Sequence, residues 1–364
     1  MMDSFFVPSF GNRPKHLVGR DSVLRQIEMA LQSVPGSRER AMIILGQRGS
    51  GKTVLLLEMA ERAKRKGFIV ANPTVVSNGM RSRIIEKLTD EHPEYLNGPR
   101  KKVAGGNVSV LGFGAGIQFS EQASEEKSFS WKITEYCKNA NADGHGVMIL
   151  IDEVRSNSEE LRELVISYQE MVEEGLDVSI VFAGLPMAIS TLLNDHVLTF
   201  LNRAEKIELQ PLRTEDIELY YVKAFESLRV DISREKIHLA AVEAAGSPYL
   251  MQLIGHYITL SFEGTISESQ FSDSLEYAKT TFKNDICRTS VAPLSDKDIS
   301  FLLAMAEYDD ETNIDDVATR MGKTASFVQT YKRRLIQSGL IEQPRRGKVV
   351  FSVPYLREYL REQL

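Results

Sequence analysis

The chain reads as an α/β protein with a parallel sheet, followed by an all-helical stretch and a small terminal unit of helices and paired strands. Three observations predict this. The apolar run of residues 42–45 breaks into Gly46-Gln47-Arg48-Gly49-Ser50-Gly51-Lys52-Thr53 and then into an amphipathic segment. Further along, Gly146-Val147-Met148-Ile149-Leu150-Ile151 runs into Asp152-Glu153. From residue 214 to 282 helical patterns follow one another with no strand-like run between them, and short strands return only near the C-terminus.

The first stretch matches the phosphate-binding loop, two glycines five positions apart followed by Lys-Thr, in the strand-then-helix setting that gives the pattern its meaning. Phosphate oxygens must come close to main-chain N–H groups. Gly46, Gly49 and Gly51 remove the Cβ atoms in the way and permit positive φ, while Gln47, Arg48 and Ser50 supply further amides of the cradle. The anion then lies at the N-terminus of the helix beginning near Lys52, where free N–H groups and the helix dipole favour negative charge. Lys52 is placed to reach the β- and γ-phosphates, and Thr53 to set its hydroxyl on Mg²⁺.

The second run has the composition of a strand buried on both faces of a parallel sheet, whose carboxyl end is where such sheets place ligands. There Asp152 can hold Mg²⁺ through its water shell, and Glu153 can polarise the water that attacks the γ-phosphate. General-base help of this kind is worth about 10²- to 10⁴-fold. ATP or ADP with Mg²⁺ are the expected ligands.

At 364 residues the chain suits two or three domains. It is 43% hydrophobic and 26% charged, the composition of an ordinary globular protein. A formal charge of −6 argues against a uniformly basic nucleic-acid coat and leaves room for a local basic patch. Residues 1–16 read as lacking a secretory signal, and no apolar run approaches the roughly 18 residues of a membrane span, so a cytoplasmic protein is expected. Cys137 and Cys287 are far apart and read as free thiols; no histidine pairs with a cysteine at ligand spacing, so no structural metal site is expected.

Residues 1–40 read as an irregular arm and a leading helix, with Val23, Leu24, Ile27, Ala30, Leu31 and Val34 at helical period. That helix lies either beside a bound base or simply against the core. Residues 41–212 form the α/β core, with strands near 68–76 and 178–185 and helices near 80–91, 130–140 and 158–174. Within it, residues 103–120 alternate as a strand hairpin. Arg100, Lys101 and Lys102 beside it would touch DNA or a neighbouring subunit, or form a solvated charge run on a packed edge. Residues 213–284 read as four helices of a lid, 285–293 as a linker, and 294–364 as a separate unit.

On these motifs, residues 18–260 resemble the AAA+ ATPases of the origin-recognition and archaeal replication-initiator type, and the transposition-helper and STAND signalling ATPases that share much of this core. The resemblance implies that Leu17-Val18-Gly19-Arg20-Asp21 is the motif on the adenine side, giving Gly19 and Arg20 a cofactor-binding role. It implies that Arg203 is an arginine finger reaching a neighbour's γ-phosphate in an ATP-dependent homo-oligomer; a solvated arginine is the alternative. Two departures stand out. The strand expected to end in a polar sensor ends in Ala183-Gly184-Leu185-Pro186, and no second-sensor arginine is evident. Ala245-Gly246-Ser247-Pro248-Tyr249 instead resembles the Gly-x-Pro lid motif of STAND proteins, which would set Pro248 and Tyr249 against the base or ribose. Slow hydrolysis is implied.

The last unit resembles a winged helix-turn-helix: helices near 296–308, 314–322 and 324–338, then strand, tip and strand. Val328, Tyr331, Leu335 and Ile336 form the core face of its third helix, leaving Ser326, Gln329, Thr330 and Arg333 to a major groove. From Arg320 to Lys348 there are eight Lys or Arg and one acid, Glu342, a local charge of +7. Lys323 is a further DNA-binding candidate, and Arg345, Arg346 and Lys348 at the tip would touch the backbone or minor groove of duplex DNA, or form a merely solvated tip. The alternatives are a protein partner for the winged helix, as in a STAND-like switch, or a transposition helper that recruits its partner.

Overall fold

The computed structural model describes residues 5–8, 17–97, 127–154, 158–194, 198–260 and 265–363. The hairpin expected at 103–120 and the basic residues before it lie outside the described residues. In the core, α1 (Asp21–Gln32) leads to β1 (Ala41–Leu45), α2 (Lys52–Arg65), β2 (Ile69–Val75), α3 (Met80–Glu91) and the short α4 (Glu94–Asn97). Then come α5 (Phe129–Ala142), β3 (Val147–Asp152), α6 (Glu159–Glu173), β4 (Val178–Gly184), α7 (Pro186–Leu193) and β5 (Glu205–Glu208). The strands pair in the order β2-β3-β4-β1-β5, all parallel.

Every residue of β3 and β4 is buried, as expected of central strands covered on both faces. The period of two then sorts their side chains between two layers. Ala41, Ile43, Ile149, Ile151, Ile180 and Phe182 pack with α3, α5 and α6, whereas Met42, Ile44, Met148, Leu150 and Val181 pack with α1 and α2. Each fully buried aliphatic of this kind contributes about 1.5–3 kcal/mol. Ser158 caps α6 through Leu161 N, and Ser128 caps α5 through Trp131 N.

The lid comprises α8 (Thr214–Leu228), α9 (Arg234–Glu243), α10 (Pro248–Leu260) and α11 (Glu268–Phe282). Residues 285–293, expected as a linker, are largely helical. A π-helical stretch, Lys283–Arg288, continues directly from α11 into α12 (Thr289–Val291). Burial explains why the helix goes on: Ile286 and Cys287 are covered, Tyr249 Oη donates to Asp285 at 2.6 Å, and Thr289 Oγ1 donates to the carbonyl of Asp285. Only Pro293 and the Ser295 cap of α13 (Asp296–Ala306) turn the chain.

Beyond α13, the chain runs through β6 (Thr312–Asn313), α14 (Ile314–Arg320), α15 (Ala325–Gln337), β7 (Ile341–Glu342), β8 (Lys348–Phe351) and α16 (Leu356–Arg361). The strands form an antiparallel sheet in the order β6-β8-β7. β6 and α16 have no sequence signal because each is too short to show a period. On α15 Val328 and Leu335 are fully buried, with Tyr331 and Ile336 partly so.

Residues 5–8 of the N-terminal arm are tied down in a way the sequence does not announce. Phe6 is buried in the lid, its ring 5.8 Å from that of Tyr220 and 5.5 Å from that of Phe225. Gly255 of α10 leaves the space, since a Cβ there would lie 2.1 Å from the Phe6 ring. Val7 N donates to Gln252 Oε1 at 2.9 Å and Tyr220 Oη donates to the carbonyl of Phe5 at 2.6 Å. Phe6→Ala should cost about 3–5 kcal/mol, the usual range for emptying a buried aromatic site. A urea titration followed by circular dichroism checks it: the lid signal should lose midpoint in the variant, and an unchanged midpoint would mean that the arm contributes nothing.

Candidate functional site

β1 ends at Leu45, and the loop after it folds back over the start of α2. Gly49 and Gly51 have φ of +74° and +89°, so the loop uses glycine there for its backbone shape. Gly46 differs from the expectation: its φ is not positive, and a Cβ would lie 2.5 Å from Ser50 Oγ. Its bareness serves the loop's own closure.

A cavity of about 770 Å³ opens over this loop. Arg48, Gly49, Ser50, Gly51, Lys52 and Thr53 line it from one side, and Asp152 and Glu153 line it from the end of β3. Pro248 and Tyr249 line it from the lid. Arg20 also reaches it, whereas Gly19, Gly46 and Gln47 do not line it. Arg203 lies outside the cavity, exposed at the end of a 3₁₀ turn, Thr199–Arg203, and makes no ion pair among the described residues.

Thr53 Oγ1 donates to Asp152 Oδ2 at 2.6 Å, and the amide of Glu153 donates to Asp152 Oδ1 at 2.8 Å. Asp152 is buried, and these two donors offset the cost of keeping a carboxylate there. A hydroxyl and a carboxylate converging at a cavity wall are the hard oxygen donors that Mg²⁺ takes, leaving its other positions to water and phosphate. Glu153, just beyond, sits at φ +49°, an uncommon conformation for a non-glycine residue that turns the chain out of the sheet into the cavity wall.

Lys52 Nζ donates to the carbonyls of Gly46 at 2.9 Å and Gln47 at 2.8 Å. Burial pulls the Lys52 ammonium down to about 8; Asp152 opposes this, Arg48 adds to it, and Glu153 opposes it again. Arg20, which lines the cavity, also braces the loop. Its guanidinium is buried, which lowers its pKa, and donates to the carbonyls of Gln210 at 2.8 Å and Ser50 at 3.3 Å, so it braces the loop against the chain entering the lid.

The cavity has further walls that sequence reasoning missed. Val7 and Pro8 reach it from the N-terminal arm, Gln252 from α10, and Asp285, Ile286 and Thr289 from the bent helix that leads to the terminal unit. None of these residues belongs to a motif of fixed spacing, so none carries a signal in a linear pattern.

On the terminal unit, Lys323, Ser326, Thr330, Arg333, Arg345 and Arg346 are exposed, and Gln329 and Lys348 are half-buried. The local charge of +7 is reduced by acids from neighbouring elements. Arg334 is bound to Asp298, Arg320 pairs with Glu307 at 3.4 Å, and Arg345 pairs with Glu311 at 2.7 Å. Lys323, Arg333, Arg346 and Lys348 make no ion pair among the described residues.

Residues 16–181 match the AAA ATPase domain family, and residues 284–360 match a domain of unknown function. The whole chain is similar in fold to a Walker-type ATPase of Pyrococcus abyssi, with a TM-score of 0.70 at 14% identity over 96% of this chain and 97% of that one. It is also similar to the ORC2 protein of Aeropyrum pernix in ADPNP and ADP complexes, with a TM-score of 0.64 at 13% identity over 98% and 96% of the two chains. A sequence search of curated proteins finds no match. No described helix is long and apolar enough to cross a membrane.

The lowered Lys52 gives a pH signature. Phosphate binding needs the charged amine, so above about pH 8 each binding event takes up a proton and the Kd for a fluorescent ATP analogue should rise by up to about tenfold per pH unit, flattening below pH 7. Lys52→Ala should bind weakly with no such slope. For the ligand-free fold, the unfolded chain holds this proton to a higher pH than the folded one, so the group's contribution to stability rises from about pH 8 toward 10.5.

Proposed function

With residues 16–181 an AAA ATPase domain, we propose that the protein binds and slowly hydrolyses ATP, and that nucleotide controls how its terminal unit engages duplex DNA. The observation that carries the reading is the convergence of Lys52, Thr53, Asp152 and Glu153 on one cavity whose far wall is the helix leading to the terminal unit. Lys52 would bind the β- and γ-phosphates, and Thr53 and Asp152 would hold Mg²⁺. The metal supplies neutralisation of the phosphate charge as it develops. Glu153 would orient the attacking water and accept its proton. Pro248 and Tyr249 would press on the nucleoside from the lid.

Arg203, exposed outside its own cavity and with no ion pair among the described residues, would serve a neighbouring copy in a homo-oligomer. Arg203→Ala should keep ATP affinity and lose about 10³-fold or more in kcat, measured by phosphate release. A loss of affinity with unchanged kcat would assign Arg203 to another task.

The terminal unit is read as a winged helix with α15 for the major groove and the β7–β8 tip for the backbone. Its exposed Lys323, Ser326, Thr330, Arg333 and Arg346 support this, with Gln329, Arg345 and Lys348 beside them. A second reading, a STAND-like switch with a protein partner, is favoured by Pro248 and Tyr249 lining the cavity. Duplex-DNA anisotropy in Mg-ATP and Mg-ADP across a salt series separates the two. Affinity should fall with log[salt], and Arg346→Ala should reduce that slope by about 1. No binding in either nucleotide would favour the protein-partner reading.

A further inference from the structure

The apolar interior divides into separate bodies. Two clusters lie on the faces of the parallel sheet. A third runs unbroken from Phe6 through Tyr221 and Leu250 of the lid, across Phe282, Ile286 and Cys287 of the bent helix, into Phe301, Leu335 and Leu356 of the terminal unit. Polar contacts clamp the same junction: Tyr355 Oη donates to Glu243 Oε2 at 2.6 Å, Lys279 pairs with Glu243 at 2.7 Å, and Lys283 pairs with Glu362. Lid and terminal unit therefore share one core, and a rotation of either carries the other. The cavity lies between this body and the sheet.

We infer that the terminal unit is latched directly onto the phosphate loop, through Gln47 against Gly339, and that phosphate binding releases the latch. This rests on the nucleotide site proposed above and adds its route to the terminal unit. Gly339 closes the turn after α15 with φ +71°. A Cβ there would lie 1.8 Å from Gln47 Oε1 and 2.8 Å from Gln47 Cδ, so the Gln47 side chain occupies the space that a side chain at 339 would need.

The contact is built to part. Gln47 Oε1 is buried with no hydrogen-bond partner. An orphaned buried acceptor costs about 1–3 kcal/mol, so seating the terminal unit here is held by packing against a polar penalty that release removes. The same residue bears the switch on its main chain: the Gln47 carbonyl accepts from Lys52 Nζ at 2.8 Å. Lys52 is the cation that phosphate would claim. Once it turns to the anion, the Gln47 carbonyl loses its donor, the loop rearranges around the ligand, and the side chain under Gly339 is no longer held in place. The second contact across this boundary is α7 packed against α15. Seating therefore fixes the orientation of α15 against the core, with Ser326, Thr330 and Arg333 still exposed.

Gly339→Asn is the sharp variant. Asparagine tolerates positive φ, so the turn survives, but its side chain cannot share the space with Gln47. Gln47→Ala, which deletes the contact from the other side, is the companion. Amide hydrogen exchange of residues 186–193, the α7 segment against α15, is read by mass spectrometry on the full chain. Without nucleotide, α7 should exchange about tenfold faster in Gly339→Asn and in Gln47→Ala than in the natural protein. Mg-ATP should bring the natural protein to that faster rate and leave Gly339→Asn unchanged. Equal α7 exchange in all three proteins, while a fluorescent ATP analogue still binds with Lys52 dependence, would overturn the latch and leave the site assignment standing. If the analogue does not bind at all, the site assignment falls, and the seat is judged by Gly339→Asn against the natural protein alone.

Discussion

The buried carboxylate of Asp152 sets the geometry on which the rest of the site depends. It ends a strand whose other residues are all apolar and covered, so it has little water to solvate it. Burial of an unpartnered charge is costly, and the donors that relieve it are the Thr53 hydroxyl and the Glu153 amide. One bond draws the start of α2 to the end of β3, with β4 between β1 and β3 in the sheet. The other turns Glu153 into the left-handed region. The loop, the Thr53 hydroxyl and the carboxylates of Asp152 and Glu153 are brought to one cavity wall by satisfying a single acid.

The second constraint is that the lid has no core of its own apart from the terminal unit. The apolar residues of α8–α11 continue into α13–α16 without a gap, and the helix joining them bends through a π-helical stretch at the cavity wall. Such stretches interrupt helices frequently at functional sites. Here the bend places Asp285, Ile286 and Thr289 on the cavity while keeping Cys287 and Phe282 in the core. A ligand held between sheet and lid would be connected to α15 through this shared core, and differential affinity for two orientations would suffice to couple them.

Charge on the terminal unit shows how linear counting misleads. Eight cations against one acid within residues 320–348 is a true count, yet Glu307, Asp298 and Glu311 come from α13 and the loop after it and neutralise three of the eight. Arg334 is the clearest case. It adds to the linear count of cations, and its guanidinium joins the Ser295–Asp298 capping box of α13.

What the sequence by itself determined is local chemistry: a glycine loop before Lys-Thr, an apolar strand before Asp-Glu, helical and strand periods, and a basic α15. These need only neighbours within a turn or a strand, so they are legible residue by residue. Only the tertiary structure decided that Phe6 plugs the lid under Gly255, that Arg20 braces Ser50 and Gln210, that residues 285–293 stay helical, and that Gln47 lies beneath Gly339. Those contacts join residues far apart in the chain through shape and exclusion of solvent. Neither has a period, and so neither leaves a pattern in the order of residues.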